Sequence, residues 1–202
     1  MNAGSRRPTR KGFLPGNPKQ WANEHNGLNL RQDLGVEISV RLPVREAFAC
    51  LLPHVVVRSH GDVPCAQIFI DRFRGDLRTT WSAFALPLPD KSVQVIYNDS
   101  HSQQRRRATL MEEFFHLHLG HSPSNIRFYS DSGSHRSFAS TTETEAYHSG
   151  AAALVPYKSL RELIQTGSLL DQIADHFDVS TDLVLFRAKV TKLYRQLKQS
   201  AA

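Results

Sequence analysis

Cysteine is scarce. Cys50 and Cys65 are the only two in 202 residues. They are too few and too far apart for a four-cysteine zinc site, and they read as buried thiols in a reducing compartment. Long apolar runs are also missing. None approaches the roughly 20 residues that span a bilayer, so no membrane partner is expected. The opening MNAGSRRPTRKG is basic but lacks the apolar stretch of a secretory signal, which makes the expected location cytoplasmic. Acidic residues are outnumbered, 19 against 25 Lys and Arg, for a net charge of +6. The excess gathers at Arg6, Arg7, Arg10, Lys11 and Lys19, and again in the run Arg105-Arg106-Arg107. There is no internal repeat.

What is present suits a globular domain: 40% hydrophobic and 22% charged residues, in a chain long enough to bury a sizeable core. Residues 1–19, rich in Pro, Gly and Asn, are expected to be a flexible basic arm, and residues 20–202 a single domain. After a short amphipathic stretch, Val44–Leu52 predicts a helix. Three β-like runs follow: His54–Ser59, Thr79–Leu86, and Ser92–Tyr97 ending on the turn signal Asn98-Asp99. The second half predicts helices over Arg105–Leu119, Thr141–Val155, Ser159–Gln165, Leu169–Phe177 and Thr181–Leu197. Ser122–Ser140, rich in Ser and Gly, predicts a surface loop at the rim of any site between its flanking helices. Strands first and helices later point to an α+β fold, with a small N-terminal sheet packed on a helical core.

The helix Arg105–Leu119 carries the chemistry. At 100° per residue, Leu110, Met111, Phe114, Phe115, Leu117 and Leu119 fill one arc, while Arg105, Thr109, Glu112, Glu113 and His116 fill the other. Glu112 and His116, four residues apart, point the same way one turn apart, which is how a helix offers two ligands to one ion. Glu113 sits beside the first ligand position, where a general base would act, following the logic of H-E-x-x-H with glutamate in place of the first histidine. The bland reading is a solvated polar face. His118 lies within the apolar arc and is expected to be a core histidine satisfied by a neighbour. Gly120 is the expected helix terminator. On the next helix, Glu143, Tyr147, Gly150 and Leu154 share one face, with Glu145 nearly opposite beside Ser149 and Ala152. Ala146, Gly150 and Ala153 allow close approach to a neighbour. An inward Glu143 needs a partner: a metal, or else Arg105, His116 or Tyr147.

The segment RRRATLMEEFFHLHLGH, Arg105 to His121, resembles the core of the ImmA/IrrE metallo-endopeptidases, which have a zincin-like helical core. The preceding strand VQVIYN resembles the family's strand ending in asparagine. ETEAYHSGAAALVP, Glu143 to Pro156, resembles its second motif, and IADHFDVSTDLVLFR its closing helix pair. The resemblance covers Val44 to Tyr194. It implies a zinc endopeptidase with Glu112, His116 and Glu143 as ligands, Glu113 as general base, and a protein or peptide substrate such as a transcriptional repressor. Two features depart from the family pattern: Glu112 replaces a histidine, and Tyr147 replaces an asparagine or aspartate. A site with two carboxylates and one imidazole also admits manganese or iron. His121 and His148 are the alternative ligands.

Two readings from other classes stand beside this one. A non-catalytic relative would keep the fold and bind a protein partner. A DNA-binding protein would use Leu169–Phe177 and the helix from Thr181 as a helix-turn-helix, with the basic arm on phosphates. Against the latter, the second helix opens Thr-Asp-Leu-Val-Leu-Phe, and Arg187, Lys189 and Lys192 come late, so the pair is expected to be a packing element.

Overall fold

The computed structural model describes residues 18–63, 67–75, 77–121 and 140–200. The expected arm up to residue 17 and nearly all of the Ser122–Ser140 loop lie outside these. Nine α-helices and three strands follow in chain order among the described residues. They are α1 (Pro18–Asp33), α2 (Val44–Leu51), β1 (Val55–Ser59), α3 (Gln67–Arg74), β2 (Ala83–Pro87), β3 (Val93–Tyr97), α4 (Gln103–His118), α5 (Ser140–Leu154), α6 (Tyr157–Gln165), α7 (Leu170–Phe177), α8 (Thr181–Val190) and α9 (Tyr194–Ser200). The fold is α+β. None of the described helices is long and apolar enough to cross a membrane.

The sheet order is β1-β3-β2, with β1 parallel and β2 antiparallel to β3. Valine density explains β1, because branched side chains suit a pleated, half-buried surface. β2 starts later than the expected run: Thr79 and Thr80 belong to a turn in which Thr80 N–H donates to the Leu77 carbonyl. The β2–β3 connection closes through Asp90, which accepts from the Ser92 amide at 3.0 Å and its hydroxyl at 2.6 Å. Lys91 takes a left-handed φ of 66° there. At the far end of β3, Asn98 is fully buried. Its amide donates to the carbonyls of Arg78 and Trp81, which fixes the chain as it turns toward α4.

α4 starts two residues earlier than expected because Ser102 is its N-cap, accepting from the Arg105 amide at 3.3 Å. Leu110, Met111, Phe114 and Phe115 are buried as the periodicity requires. So are Thr109 and His116 from the polar arc, because α5 lies across that side. Gly150 permits the approach: a Cβ there would sit 3.1 Å from the Met111 carbonyl carbon. On its other side α5 meets α1, where a Cβ on Gly27 would sit 2.5 Å from the Ala153 nitrogen. α5 is therefore clamped between two helices, which explains why Ser149 and Ala152 are as buried as Ala146.

Four expectations are corrected. Cys50 is an exposed thiol near the end of α2 rather than a buried one. His118 is exposed rather than in the core; the last turn of α4 runs past the core edge, and the ring stacks on Phe114 at 5.3 Å. Thr181–Leu197 is two helices, because Lys192 adopts a left-handed φ of 59° and Leu193 N–H bonds back to the Ala188 carbonyl. The stretch before Val44 holds a full 16-residue helix, α1. The α7–α8 pair packs as expected. Leu183, Val184, Arg187 and Ala188 are buried, so Arg187 offers nothing to a phosphate.

His60 and His148 both have pKa values below 6.5, chiefly because burial disfavours their charged forms. The unfolded chain binds those protons first as pH falls. Stability from these groups is therefore full above about pH 6.5 and declines as pH drops through their folded-state pKa values. Urea midpoints of chelator-treated protein should fall between pH 7.5 and 5.5, and less so for His148→Phe. A flat midpoint over that range would contradict this.

Candidate metal centre

α4 and α5 build the site together. Glu112 and His116 stand one turn apart on α4, and Glu143 comes from the first turn of α5. Among the described residues, these three each offer a ligand atom, and the atoms lie within 4.8 Å of one another. His116 Nε2 and Glu143 Oε1 are 3.6 Å apart, longer than a hydrogen bond. Ligands about 2.0–2.2 Å from a tetrahedral zinc ion stand about 3.3–3.6 Å from one another, so this pair already has the spacing of two ligands, and the Glu112 donor lies within 4.8 Å of both. The donor chemistry also fits a divalent cation, since two carboxylates match its charge and a neutral imidazole completes the set.

Burial pushes the His116 pKa down, as does the nearby His121 ring, while the Glu143 carboxylate acts in the opposite direction. The net result is a neutral ring, the form that ligates. Arg105, one alternative partner for Glu143, instead donates to the Ser82 hydroxyl at 3.1 Å and ties α4 to the residue just before β2. Tyr147 is half-buried edge-on to Phe186, with centroids 4.9 Å apart. Burial and the carboxylates of Glu112 and Asp182 raise its pKa, so it stays a hydrogen-bond donor across the neutral range. Glu113 is half-buried next to Glu112.

His121 and His148 are not in the three-residue group. His148 packs edge-on to Phe186 at 4.9 Å. His121 is placed by the helix terminus. Gly120 has a φ of 71°, its N–H bonds the Leu117 carbonyl, and the His121 N–H bonds the His116 carbonyl at 2.8 Å. This paired closure folds His121 back over the preceding turn. Its Nδ1 then lies 3.1 Å from His116 Nδ1, and its Nε2 lies 3.4 Å from Glu145 Oε2. The sequence reading missed Glu145. The visible signal was Gly120 followed by a histidine, which predicts such a closure, but not what the imidazole would meet.

The sequence profile of the IrrE N-terminal-like domain, a peptidase family, matches residues 70–189. Among curated proteins, none matches the chain by sequence. The fold is similar to that of a solved Mycobacterium tuberculosis transcriptional regulator, with a TM-score of 0.53 and 16% identity over 88% of this chain and 48% of that one. This chain thus spans about half the length of that protein, and at this identity the likeness is one of fold.

Proposed function

The chain belongs to the peptidase family of IrrE N-terminal-like domains, and from that premise we propose that it is a metal-dependent endopeptidase. Glu112, His116 and Glu143 are the metal ligands and Glu113 is the general base. The observation that carries this reading is the convergence of those three ligand atoms from two helices. When bound, a divalent ion, zinc first and manganese or iron next, supplies Lewis acidity that polarises a peptide carbonyl and makes water easier to deprotonate. Glu113 takes the proton from the attacking water and returns it to the departing amine. With two carboxylate ligands the site is nearly neutral, so that acidity is weaker than in a histidine-rich site, and Glu113 carries more of the task. The substrate is a protein or peptide. The structural neighbour is a transcriptional regulator, which favours a regulatory setting such as repressor cleavage.

The ring geometry assigns His121 and Glu145 as positioning residues. If His116 ligates through Nε2, its proton is on Nδ1, so His121 Nδ1 must accept and His121 Nε2–H must point to Glu145. Loss of such support weakens metal affinity about 10–100-fold. His121→Ala and Glu145→Gln should each show that loss in a zinc competition titration, while urea midpoints stay near wild type. Unchanged affinity in both would remove the assignment.

The test of the activity is hydrolysis of a complex peptide library read by mass spectrometry. Cleavage that stops with chelator and returns with zinc is expected. A library left intact by protein loaded with zinc, manganese or iron would overturn the reading. The second reading, a non-catalytic module that binds a protein partner, is favoured by one observation: the ligand position filled by Glu112.

A further inference from the structure

A cleft lies beside α4 away from the metal centre. At 100° per residue, Gln103, Arg106, Arg107 and Leu110 fall within about 100° of one another, and Glu112 is roughly opposite them. The cleft has a volume of about 510 Å³, and its polar lining is Arg41, Arg45, Arg106, Arg107, Glu46 and Tyr97. That volume is ordinary for a small-molecule site, which typically measures about 300–1,000 Å³.

Its charge is unbalanced. Four guanidinium groups face Glu46, with Asp178 reaching Arg41 and Arg107 from the α7–α8 turn. The surplus is two positive charges. Arg107 is occupied by the fold: it donates to the carbonyls of Asp178, Leu42 and Phe177. Burial and the neighbouring Arg41 push its pKa down to about 10, a sign of cations crowded together. Arg45 is pre-oriented, donating to the Tyr97 hydroxyl at 2.6 Å with its guanidinium 5.5 Å from that ring's centroid. The Arg106 guanidinium has no hydrogen-bond or ion-pair partner among the described residues. Pro43 adds a part-exposed apolar surface at the same cleft, with Leu42 and Val44 buried behind it.

We propose that this cleft binds a small phosphomonoester of about mononucleotide size, its phosphate held by Arg106 and Arg45 with Arg41, and its less polar body against Pro43. A phosphomonoester carries about −1.5 to −2 charges at neutral pH, which matches the surplus. The planar fork of arginine pairs with phosphate oxygens two at a time. A neutral ligand would leave the repulsion in place, and a single carboxylate would relieve half of it. The site is independent of the peptidase reading, since none of its residues belongs to the metal centre.

The experiment is calorimetric titration of the full chain at constant ionic strength with three probes: inorganic phosphate, adenosine 5′-monophosphate and adenosine. Saturable binding of the nucleotide is expected, with weaker binding of phosphate and none of adenosine. Arg106→Gln should weaken nucleotide binding about tenfold or more, as expected for loss of a charged hydrogen-bond donor. Lys158→Gln, an exposed cation on α6, should leave it unchanged. Glu113→Gln should also leave it unchanged. Absence of saturable binding up to about 10 mM nucleotide, a range that covers weak sites, would overturn the proposal. So would equal losses in the Arg106 and Lys158 variants, which would mean diffuse charge attraction, or equal binding of adenosine.

Discussion

Glu113→Gln is expected to fold, to bind metal as the wild type does, and to hydrolyse peptide bonds about 10²–10⁴-fold more slowly. The substitution keeps the shape of the side chain and removes only its basicity. Glu113 is not one of the three grouped ligand donors, so metal content should not change. The proposed two-carboxylate ligand set makes this base more important. A nearly neutral centre acidifies water less, so the proton must be drawn off by a base rather than lost spontaneously. The measurement is kcat on a cleaved library peptide, with metal content on the same sample. A variant as active as wild type would exclude Glu113 as the base. If instead neither protein cleaves anything, and a biological effect survives the substitution, the chain is a binding module.

Arg187→Met is expected to destabilise the domain by about 3–5 kcal/mol, because it strands a buried carboxylate. Arg187 and Glu24 are each about 2% exposed and form a direct ion pair. Arg187 Nε also donates to the Val155 carbonyl at 2.9 Å, and Glu24 Oε1 accepts from the Tyr157 amide at 2.7 Å. Four helices meet at this pair: α1, α5, α6 and α8. Arg31 completes the arrangement from α1, donating to the carbonyls of Ala153 at 2.6 Å and Leu154 at 3.4 Å. Two buried cations therefore satisfy the carbonyls at the end of α5 and face the negative end of its dipole. α5 carries Glu143 at its other end, so the pair also fixes where Glu143 sits. Whole domains are stable by only about 5–15 kcal/mol, so the loss should be visible as a large drop in urea midpoint. The double variant Glu24→Leu/Arg187→Met should recover much of it, since apolar replacement of a whole buried pair is often neutral. A single-variant loss below about 1 kcal/mol would contradict the assignment.

These polar contacts also explain what the sequence could not reveal. β1 and β3 were legible because their branched residues have one dominant use. α4 was legible because its apolar period is strong. α1 has no such period: it docks on α5 and α6 through Asn23, Glu24, Gly27 and Arg31, across contacts that span more than 120 residues of sequence. No local pattern announces a glutamate meant for a buried arginine. The break at Lys192 was hidden for a similar reason, since a left-handed lysine carries none of the Gly, Asn or Pro marks of a helix end. Within the site, Glu112 and His116 followed from helical spacing, and Glu143 from the resemblance to the family's second motif, with the helical wheel favouring it over Glu145. Glu145 did not, because its partner His121 belongs to the closing turn of another helix.

The central claim is that a carboxylate at position 112 still completes a metal site. Its most direct test is the metal content of protein purified without chelator, set against His116→Ala and Glu143→Ala variants that remain folded. About one equivalent of a divalent metal in the wild type, and a small fraction of that in both variants, is the predicted result. Wild-type protein that stays metal-free when offered zinc, manganese or iron, or variants that hold as much metal as the wild type, would contradict it.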